Sequence, residues 1–398
     1  MQLLLKIYQV EDLMGKGNHS KSKYKNKGWL DTLKSIVICG VFGGVLGFFI
    51  GDFFNPWLKS DNIFIGLLKF YGLIILFVIG YIIHIIIHEA GHLIFGLLTD
   101  YTFVSFRIGS MTIVKEDGKL KTKKFNIPGT AGQCLMMPPK IKDGEFPFVL
   151  YNLGGVIINL LVSALCISTI VLIKEMAFVL EVILLLTAFA GILAAVTNGI
   201  PMKIGGVPND GHNIYSMLKD EDARRGFYVQ LEVNGLQSLG IRMKELPLSK
   251  FVLNNNADVS QPLNTAMRLM EYSYHLDHLD IESAKTCLLS LTEHMDRIAL
   301  LFVNEINCER LFLELVTDCD KSTIDRLYNK KLKKYIKASR FQMSKKRLMM
   351  AYEIYYTKDI NKALQFYKEG KNLASNSPVK GDADMELMLL DWLKVKLL

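Results

Sequence analysis

The sequence predicts a mainly α-helical protein in which a polytopic membrane half precedes a soluble helical half. Half of its 398 residues are hydrophobic, and the mean hydropathy of +0.24 is high for a soluble chain of this length. Uncharged runs long enough to cross a bilayer are confined to the first half of the chain. The chain after about Met217 is charged and amphipathic, which is typical of helices packed in water.

Four segments have the length that a transmembrane helix needs, about 17 to 25 residues. They cover about residues 35–51, 70–98, 148–173 and 176–197. The first contains several glycines, which allow close packing against a neighbouring helix. Only Lys174 and Glu175 separate the last two segments, so we expect these helices to form an antiparallel hairpin.

Basic residues are concentrated on one side of the predicted spans. Five lysines lie between positions 16 and 27, and eight Lys or Arg residues lie between the second and third spans. The other two connections hold only Lys59, Lys69 and Lys174. The positive-inside rule therefore places both termini of this multi-pass protein of the cell membrane in the cytoplasm. Residues 1–32 are predicted to form a basic tail beside the anionic lipid bilayer, with no nucleic-acid partner.

The second span carries groups that lipid penalises. Its stretch IIHIIIHEAGHLIF places His84, His88, Glu89 and His92 among aliphatic residues. An ionisable side chain at the bilayer centre costs on the order of 2.5 to 3.5 kcal/mol. A purely structural role in hydrogen bonding would not require the H-E-x-x-H spacing. The sequence therefore indicates a function for these groups inside the membrane.

Residues four apart in a helix lie on one face, so His88 and His92 can bind the same ion while Glu89 reaches a water beside it. Imidazole and carboxylate are ordinary ligands of zinc, and a catalytic zinc site keeps one position for water. We therefore predict a Zn²⁺ cofactor, with Glu89 as the base. His84 lies too far along the helix to share the ion with His92, so we expect a supporting role for it.

Two histidines leave a zinc site incomplete, and the loop after the fourth span is the candidate source of another ligand. This loop reads NGIPMKIGGVPNDGHN, from Asn198 to Asn213, and it contains Asp210. His88 lies roughly 15 Å before the end of its helix, so the loop would have to fold back into the membrane interior. The glycines and prolines of the loop permit such irregular backbone where it is buried.

Three motifs in this order resemble the site-2 protease family of intramembrane zinc metalloproteases. They are HEAGH at 88–92, GVIIN at 155–159, which is similar to the G-x-x-x-N element, and NGIP with NDG at 198–211, which is similar to the N-x-x-P and D-G elements. The resemblance covers about residues 33–216, the predicted intramembrane metalloprotease domain. It implies that the zinc ligands are His88, His92 and Asp210 and that the catalytic base is Glu89.

The resemblance also implies an activity. A member of this family is a zinc endopeptidase that cleaves a membrane-inserted protein or peptide substrate, in regulated intramembrane proteolysis or in the maturation of signal peptides. The competing hypothesis is a non-catalytic membrane scaffold or receptor with a protease-derived core. A zinc transporter would favour several sets of ligands along a path, and this sequence contains one.

Two features depart from the family pattern or leave an alternative open. The interval from Pro201 to Asp210 is longer than in the commonest pattern, and Asn209 occupies a position where leucine is usual. His212 is therefore a rival third ligand. The resemblance assigns Asn159 and Asn198 to substrate binding, but an intramembrane asparagine also bridges helices through hydrogen bonds.

The segment between the second and third spans predicts β-structure. Its sequence TFVSFRI, residues 102–108, alternates apolar and polar side chains and predicts a half-buried strand. NIPGTAGQCLMMPP, residues 126–139, predicts a small β-hairpin or re-entrant segment at the membrane surface. A strand edge here would hold a substrate extended by β-augmentation, whereas a plain cytoplasmic hairpin is the alternative.

The remaining chain predicts a helical connector and linker over residues 217–263 and a helical-repeat domain over residues 264–398. Asp280, Asp320 and Asp359 begin similar segments that are 40 and 39 residues apart, and each is predicted to cap a helix. Residues 351–370 look like one tetratricopeptide-type hairpin, with a non-repeating bundle as the alternative. Such a domain implies a cytoplasmic protein or peptide partner.

Overall fold

The computed structural model describes residues 62–116, 118–124, 132–204 and 207–397, together with isolated positions between 37 and 60. This part of the chain is mainly helical and contains a small antiparallel sheet. The predicted basic tail of residues 1–32 lies outside the described residues, as does most of the predicted first span at 35–51.

Contacts divide the chain into two compact units. Of the described residues, the membrane unit comprises those up to 102 and those within 139–216, and the helical unit comprises those within 103–138 and 217–397. The predicted metalloprotease domain, residues 33–216, includes the sheet segment together with the spans that flank it. The contacts of the sheet segment instead join it to the C-terminal helices.

The membrane unit is built on a long helix, α1 (Ile63–Leu98), of 36 residues. It begins seven residues before the predicted span, where Asn62 accepts a hydrogen bond from the backbone N–H of Phe64 at 2.9 Å. The one lysine in this added segment, Lys69, donates to the Trp57 carbonyl at 2.7 Å. This contact satisfies the ammonium group near the start of an otherwise apolar helix.

Two further apolar helices complete the membrane unit, α2 (Phe148–Leu172) and α3 (Phe178–Gly199). Their bounds agree with the predicted spans to within two residues, and each of the three helices packs against the other two. In the described chain, three helices are long and apolar enough to cross a membrane. Large apolar side chains on their outer surface, such as Leu68, Leu165 and Val179, are 66–74% exposed, as expected for contact with lipid.

A four-stranded sheet has the order β3-β2-β1-β4. Its strands are β1 (Thr102–Ile108), β2 (Met111–Glu116), β3 (Lys119–Lys124) and β4 (Gly132–Met137). The predicted strand at 102–108 is confirmed. The segment that was predicted as a hairpin or re-entrant element contributes β4 to this sheet.

The burial pattern of β1 differs from simple alternation. Arg107 is only 2% exposed, whereas alternation predicts that it faces water. Its guanidinium donates to the Gly109 carbonyl in the following turn at 2.7 Å, so the charge is buried with a hydrogen bond.

Strand β4 is in close contact with the C-terminal helices. Met137 packs against Gly235, where a Cβ would lie 2.8 Å from the Met137 Cβ.

A short hairpin follows α3 and leads into the helical part of the chain. Its strands are β5 (Lys203–Ile204) and β6 (Val207–Pro208), and α4 (Asp210–Lys219) begins two residues later. The remaining helices are α5 (Glu221–Ser238), α6 (Pro262–Asp277), α7 (Ile281–Thr292), α8 (Leu300–Val316), α9 (Lys321–Leu327), α10 (Lys330–Ala338), α11 (Met343–Tyr352), α12 (Ile360–Ala374) and α13 (Lys380–Val395). A π-helical turn, Glu353–Thr357, extends α11.

The three predicted capping aspartates are confirmed. The carboxylates of Asp280, Asp320 and Asp359 accept hydrogen bonds from the third backbone N–H of α7, α9 and α12 at 3.1, 2.8 and 3.0 Å. The residue before each aspartate is left-handed, with φ of 59°, 50° and 61°. The same helix-to-helix turn therefore occurs three times at nearly equal intervals.

A buried ionic network joins the helices of the helical unit. Arg347 on α11 contacts Glu309 on α8 and Glu386 on α13, in both cases at 2.8 Å, and all three are at most 8% exposed. Lys345 pairs with Glu305 at 2.5 Å beside it. Because a buried charge without a partner is costly, these pairs fix which helix faces which.

We expect Arg347→Met to destabilise the protein by about 3–5 kcal/mol, because it leaves two buried carboxylates without their common cation. Chemical denaturation of the purified protein measures this loss. Adding Glu309→Gln and Glu386→Gln to Arg347→Met should restore part of the stability. A loss below about 1 kcal/mol in the single variant would contradict the role of the network.

We expect the cap at Asp320 to make stability depend on pH. Hydrogen bonds from Ser322 and Thr323 lower the pKa of Asp320 to about 2, from about 3.9 in an unfolded chain. Its contribution is therefore complete above pH about 4 and lost as the pH falls through about 2. Thermal unfolding measured across this pH range should show a smaller loss of stability in Asp320→Asn than in the original protein, because asparagine accepts the same hydrogen bonds without titrating. An unchanged pH profile in that variant would refute the assignment.

Candidate metal centre

Three predicted ligands converge inside the membrane unit. His88 and His92 lie one turn apart on α1, and Asp210 is the first residue of α4. Asp210 Oδ2 lies 3.0 Å from His88 Nε2 and 3.4 Å from His92 Nε2. The two Nε2 atoms are 3.2 Å apart. The three atoms thus form a nearly equilateral triangle in a largely buried site.

The donor set and its dimensions fit a tetrahedral zinc ion. Ligand atoms about 2.0–2.2 Å from zinc lie roughly 3.3–3.6 Å from one another. The sides of the triangle are 3.0, 3.2 and 3.4 Å, so the two shorter sides would widen by about 0.1–0.3 Å around an ion. Two imidazoles and one carboxylate leave a fourth position for water or substrate, as in catalytic zinc sites.

The loop that follows α3 brings Asp210 to the histidines of α1, and Asn209 holds this loop in place. Its Nδ2 donates to the carbonyls of Thr197 and Ile200 at 2.7 and 2.6 Å. Its Oδ1 accepts from the backbone N–H groups of Met202 and His212 at 3.0 and 2.9 Å. Because these four hydrogen bonds connect both ends of the loop, they position the next residue, Asp210, beside the histidines.

The carboxylate of Asp210 lies against the two imidazoles, with Oδ2 3.0 Å from His88 Nε2 and 3.4 Å from His92 Nε2. Gly211 allows the close approach of the loop backbone, since a Cβ there would lie 2.1 Å from the Gly199 carbonyl oxygen.

The ring of His92 is oriented by the backbone of α2. Its Nδ1 lies 2.7 Å from the Tyr151 carbonyl oxygen, which can only accept a hydrogen bond. Nδ1 therefore carries a hydrogen, and in the neutral ring the lone pair is on Nε2, which faces Asp210 and His88. Tyr151 in turn stacks on Tyr101, with the ring centroids 4.5 Å apart.

Asn159 lies between His84 and His88 and is completely buried. Its Oδ1 is 3.0 Å from His84 Nδ1, and its Nδ2 is 3.4 Å from His88 Nδ1. If the amide is turned over, Oδ1 accepts a hydrogen from His88 Nδ1, which leaves the Nε2 lone pair for a cation. His84 thus contacts the same asparagine as His88, and its supporting role stays a prediction.

Glycines at the interface of α1 and α2 make room for this arrangement. A Cβ at Gly91 would lie 2.3 Å from the Gly154 carbonyl oxygen, and a Cβ at Gly155 would lie 2.4 Å from the His88 ring. On α3, a Cβ at Gly191 would lie 2.3 Å from the His84 ring. At these three points the neighbouring helix comes close because glycine has no side chain.

The other predicted site residues lie nearby but outside the triangle. Glu89 is half-buried directly after His88. Asn198 is in the last turn of α3 and donates to the Ala194 carbonyl at 2.9 Å. His212 lies in the first turn of α4. Among the described residues, the cluster of possible ligands consists of His88, His92 and Asp210, without His212. Substrate binding by Asn159 and Asn198 stays a prediction.

Several residues of the site were not singled out from the sequence. The contribution of Tyr151 is a backbone carbonyl, which no side-chain pattern can reveal. Gly91 lies within HEAGH and Gly154 adjoins the G-x-x-x-N element, so paired small residues in two apolar helices were the available signal. Asn209 was noted only as a departure from the family pattern.

Comparison with protein-family models, with curated proteins and with solved structures finds no match to this chain. The geometry and chemistry of the site therefore carry the functional argument.

We expect Gly91→Ala to destabilise the membrane unit by about 1–3 kcal/mol, because the added methyl group must push α1 and α2 apart. The thermal unfolding midpoint in detergent and the bound metal content measure the effect. Gly72→Ala is the matched control, since nothing lies within 4 Å of a Cβ at that position of α1. Equal unfolding midpoints and equal metal contents in Gly91→Ala and Gly72→Ala would argue against a critical contact at Gly91.

We expect Asn159→Ala to weaken zinc binding about 10–100-fold, because His88 loses the partner that orients its ring. Competition with a chelator measures the affinity. Asn198→Ala should leave it unchanged. Full zinc affinity in Asn159→Ala would contradict a role of Asn159 in orienting His88.

Proposed function

We propose that this protein is a zinc-dependent intramembrane endopeptidase that cleaves membrane-inserted protein or peptide segments. The observation that carries the proposal is the triangle of His88, His92 and Asp210 among helices long and apolar enough to cross a membrane. The H-E-x-x-H spacing supplies a carboxylate beside the ligands. The resemblance of three ordered motifs to the site-2 protease family supports the same activity.

His88, His92 and Asp210 would hold the zinc ion. Bound zinc supplies a Lewis acid and makes water a nucleophile at neutral pH. The carboxylate of Glu89 would accept a proton from the attacking water and deliver it to the leaving amide nitrogen. Asp210 would also offset the charge of the ion, so that the cation is not buried alone.

The substrate has to be extended before it can be cut, because a transmembrane helix hides its peptide bonds in its own hydrogen bonds. We assign Asn198 to this step, since its side-chain amide lies in the last turn of α3, next to the loop that carries Asp210. Asn159 is buried against two histidines, which favours positioning of the ligands over contact with substrate.

The setting that we propose is the cytoplasmic half of the cell membrane. His88 precedes the end of α1 by ten residues, and the segment that follows α1 carries most of the basic residues of the connections. Cleavage there would release a regulator from the membrane or process the remnant of a signal peptide. A cytoplasmic partner would bind to the helical unit.

We expect Glu89→Gln to keep zinc bound and to lower cleavage about 10²–10⁴-fold, because only the proton acceptor is lost. His88→Ala should lose both zinc and cleavage. Membrane-peptide profiles of cells that carry each variant, together with the metal content of the purified proteins, test both expectations.

Glu181→Gln is the matched control, because it neutralises a carboxylate in the first turn of α3. It should retain zinc and cleavage. If zinc is bound but the peptide profiles of the original protein and of Glu89→Gln are identical, the protein is a receptor or scaffold. The absence of bound zinc would refute the hydrolase.

A further inference from the structure

A second cluster of metal-binding side chains lies in the helical unit. Glu271 and His275 are one turn apart on α6, and Cys287 faces them from α7. One ligand atom of each residue lies within 4.8 Å of the other two. Glu271 and Cys287 are buried, with 8% and 5% exposure, and His275 is half-buried. The cluster is independent of the proposed peptidase site.

The turn between α6 and α7 fixes this arrangement. Left-handed Leu279 reverses the chain, and the next residue, Asp280, caps α7 through the backbone N–H of Ser283 at 3.1 Å. The two helices then pack along their length. Since residues four apart share a face, Glu271 and His275 both face the helix that carries Cys287.

Neighbouring side chains position two of the three ligands. Arg268 Nη1 lies 2.5 Å from Glu271 Oε2, so the other carboxylate oxygen can serve as a ligand. Asp280 Oδ2 lies 3.5 Å from His275 Nδ1 and can accept its N–H, which presents Nε2 to a metal.

We propose that Glu271, His275 and Cys287 bind a divalent transition-metal ion of the zinc class. Thiolate, imidazole and carboxylate together favour zinc or cobalt over the hard ions magnesium and calcium. On binding, the metal replaces the thiol proton of Cys287, which leaves to solvent. The two negative ligands balance the charge of the ion, and Arg268 orients the carboxylate.

The geometry needs only a small contraction. Ligand atoms in a tetrahedral site with one sulfur lie roughly 3.3–3.8 Å apart. Side-chain rotations that move the ligand atoms about 1 Å closer together would therefore close the cluster around an ion. The ion would join α6 to α7 in the first hairpin of the repeated turns. Its binding would stabilise the helical unit, because the cluster does not exist in the unfolded chain.

Cobalt titration of the full-length protein in detergent tests the proposal. A cobalt ion bound to a thiolate has a charge-transfer absorption band in the near ultraviolet, and the peptidase triangle contains no sulfur. We therefore expect one thiolate–cobalt band per chain, removed by added zinc. The band should disappear in Cys287→Ser and weaken at least tenfold in apparent affinity in His275→Ala.

Controls separate this site from the triangle and from other thiols. Cys308→Ser alters another buried cysteine of the helical unit and should retain the band. His88→Ala should also retain it, so failure of the peptidase hypothesis leaves this result unaffected. Far-ultraviolet circular dichroism establishes that Cys287→Ser is folded, and Cys287→Ala serves as the second variant.

Zinc should raise the thermal unfolding midpoint of His88→Ala, and the increase should vanish when Cys287→Ser is added. If the band is absent in the original protein, or persists in both Cys287 variants, the proposal is overturned. In that case the cluster is a buried Arg268–Glu271 ion pair beside an inert thiol.

Discussion

The contact of Gly91 with Gly154 brings the backbones of α1 and α2 so close that a single methyl group would not fit between them. Because of this approach, the His88 ring lies against Gly155, and the Tyr151 carbonyl reaches the ring of His92. In lipid, where apolar burial contributes little to helix association, such backbone contact is a main source of packing energy. The orientation of the proposed metal ligands is therefore a consequence of how two helices pack, and not of the H-E-x-x-H sequence alone.

Both units bury charged or ionisable groups, and in both the groups are satisfied by partners distant in sequence. Asp210 meets two histidines from α1, whereas Arg347 meets carboxylates from α8 and α13. A buried ion pair adds little net stability over an apolar core, but removing one member is costly. These pairs therefore favour one arrangement of helices over others that would bury the same apolar area. The membrane unit uses this constraint to assemble a site, and the helical unit uses it to order a bundle.

The sequence predicted the elements whose signal is local. Long apolar runs identified α2 and α3 to within two residues, alternation identified β1, and the three aspartates identified the starts of α7, α9 and α12. It also named the three side chains that form the triangle. It did not predict the burial of Arg107, the grouping of the sheet with the C-terminal helices, or the network around Arg347. Each of these depends on contacts between distant segments, for which a single chain offers no periodic pattern. The part played by Asn209 was hidden for the same reason, since its four hydrogen bonds all go to backbone atoms of a folded loop.

The length of α1 has a consequence for hydration. At 1.5 Å per residue, its 36 residues extend about 54 Å, well beyond the roughly 30 Å of hydrocarbon in a bilayer. His88 is about 15 Å from the C-terminal end of the helix, near the middle of that slab if the end lies at its surface. Bulk solvent does not penetrate hydrocarbon to this depth, so any water that reaches the imidazoles must travel along polar protein surface.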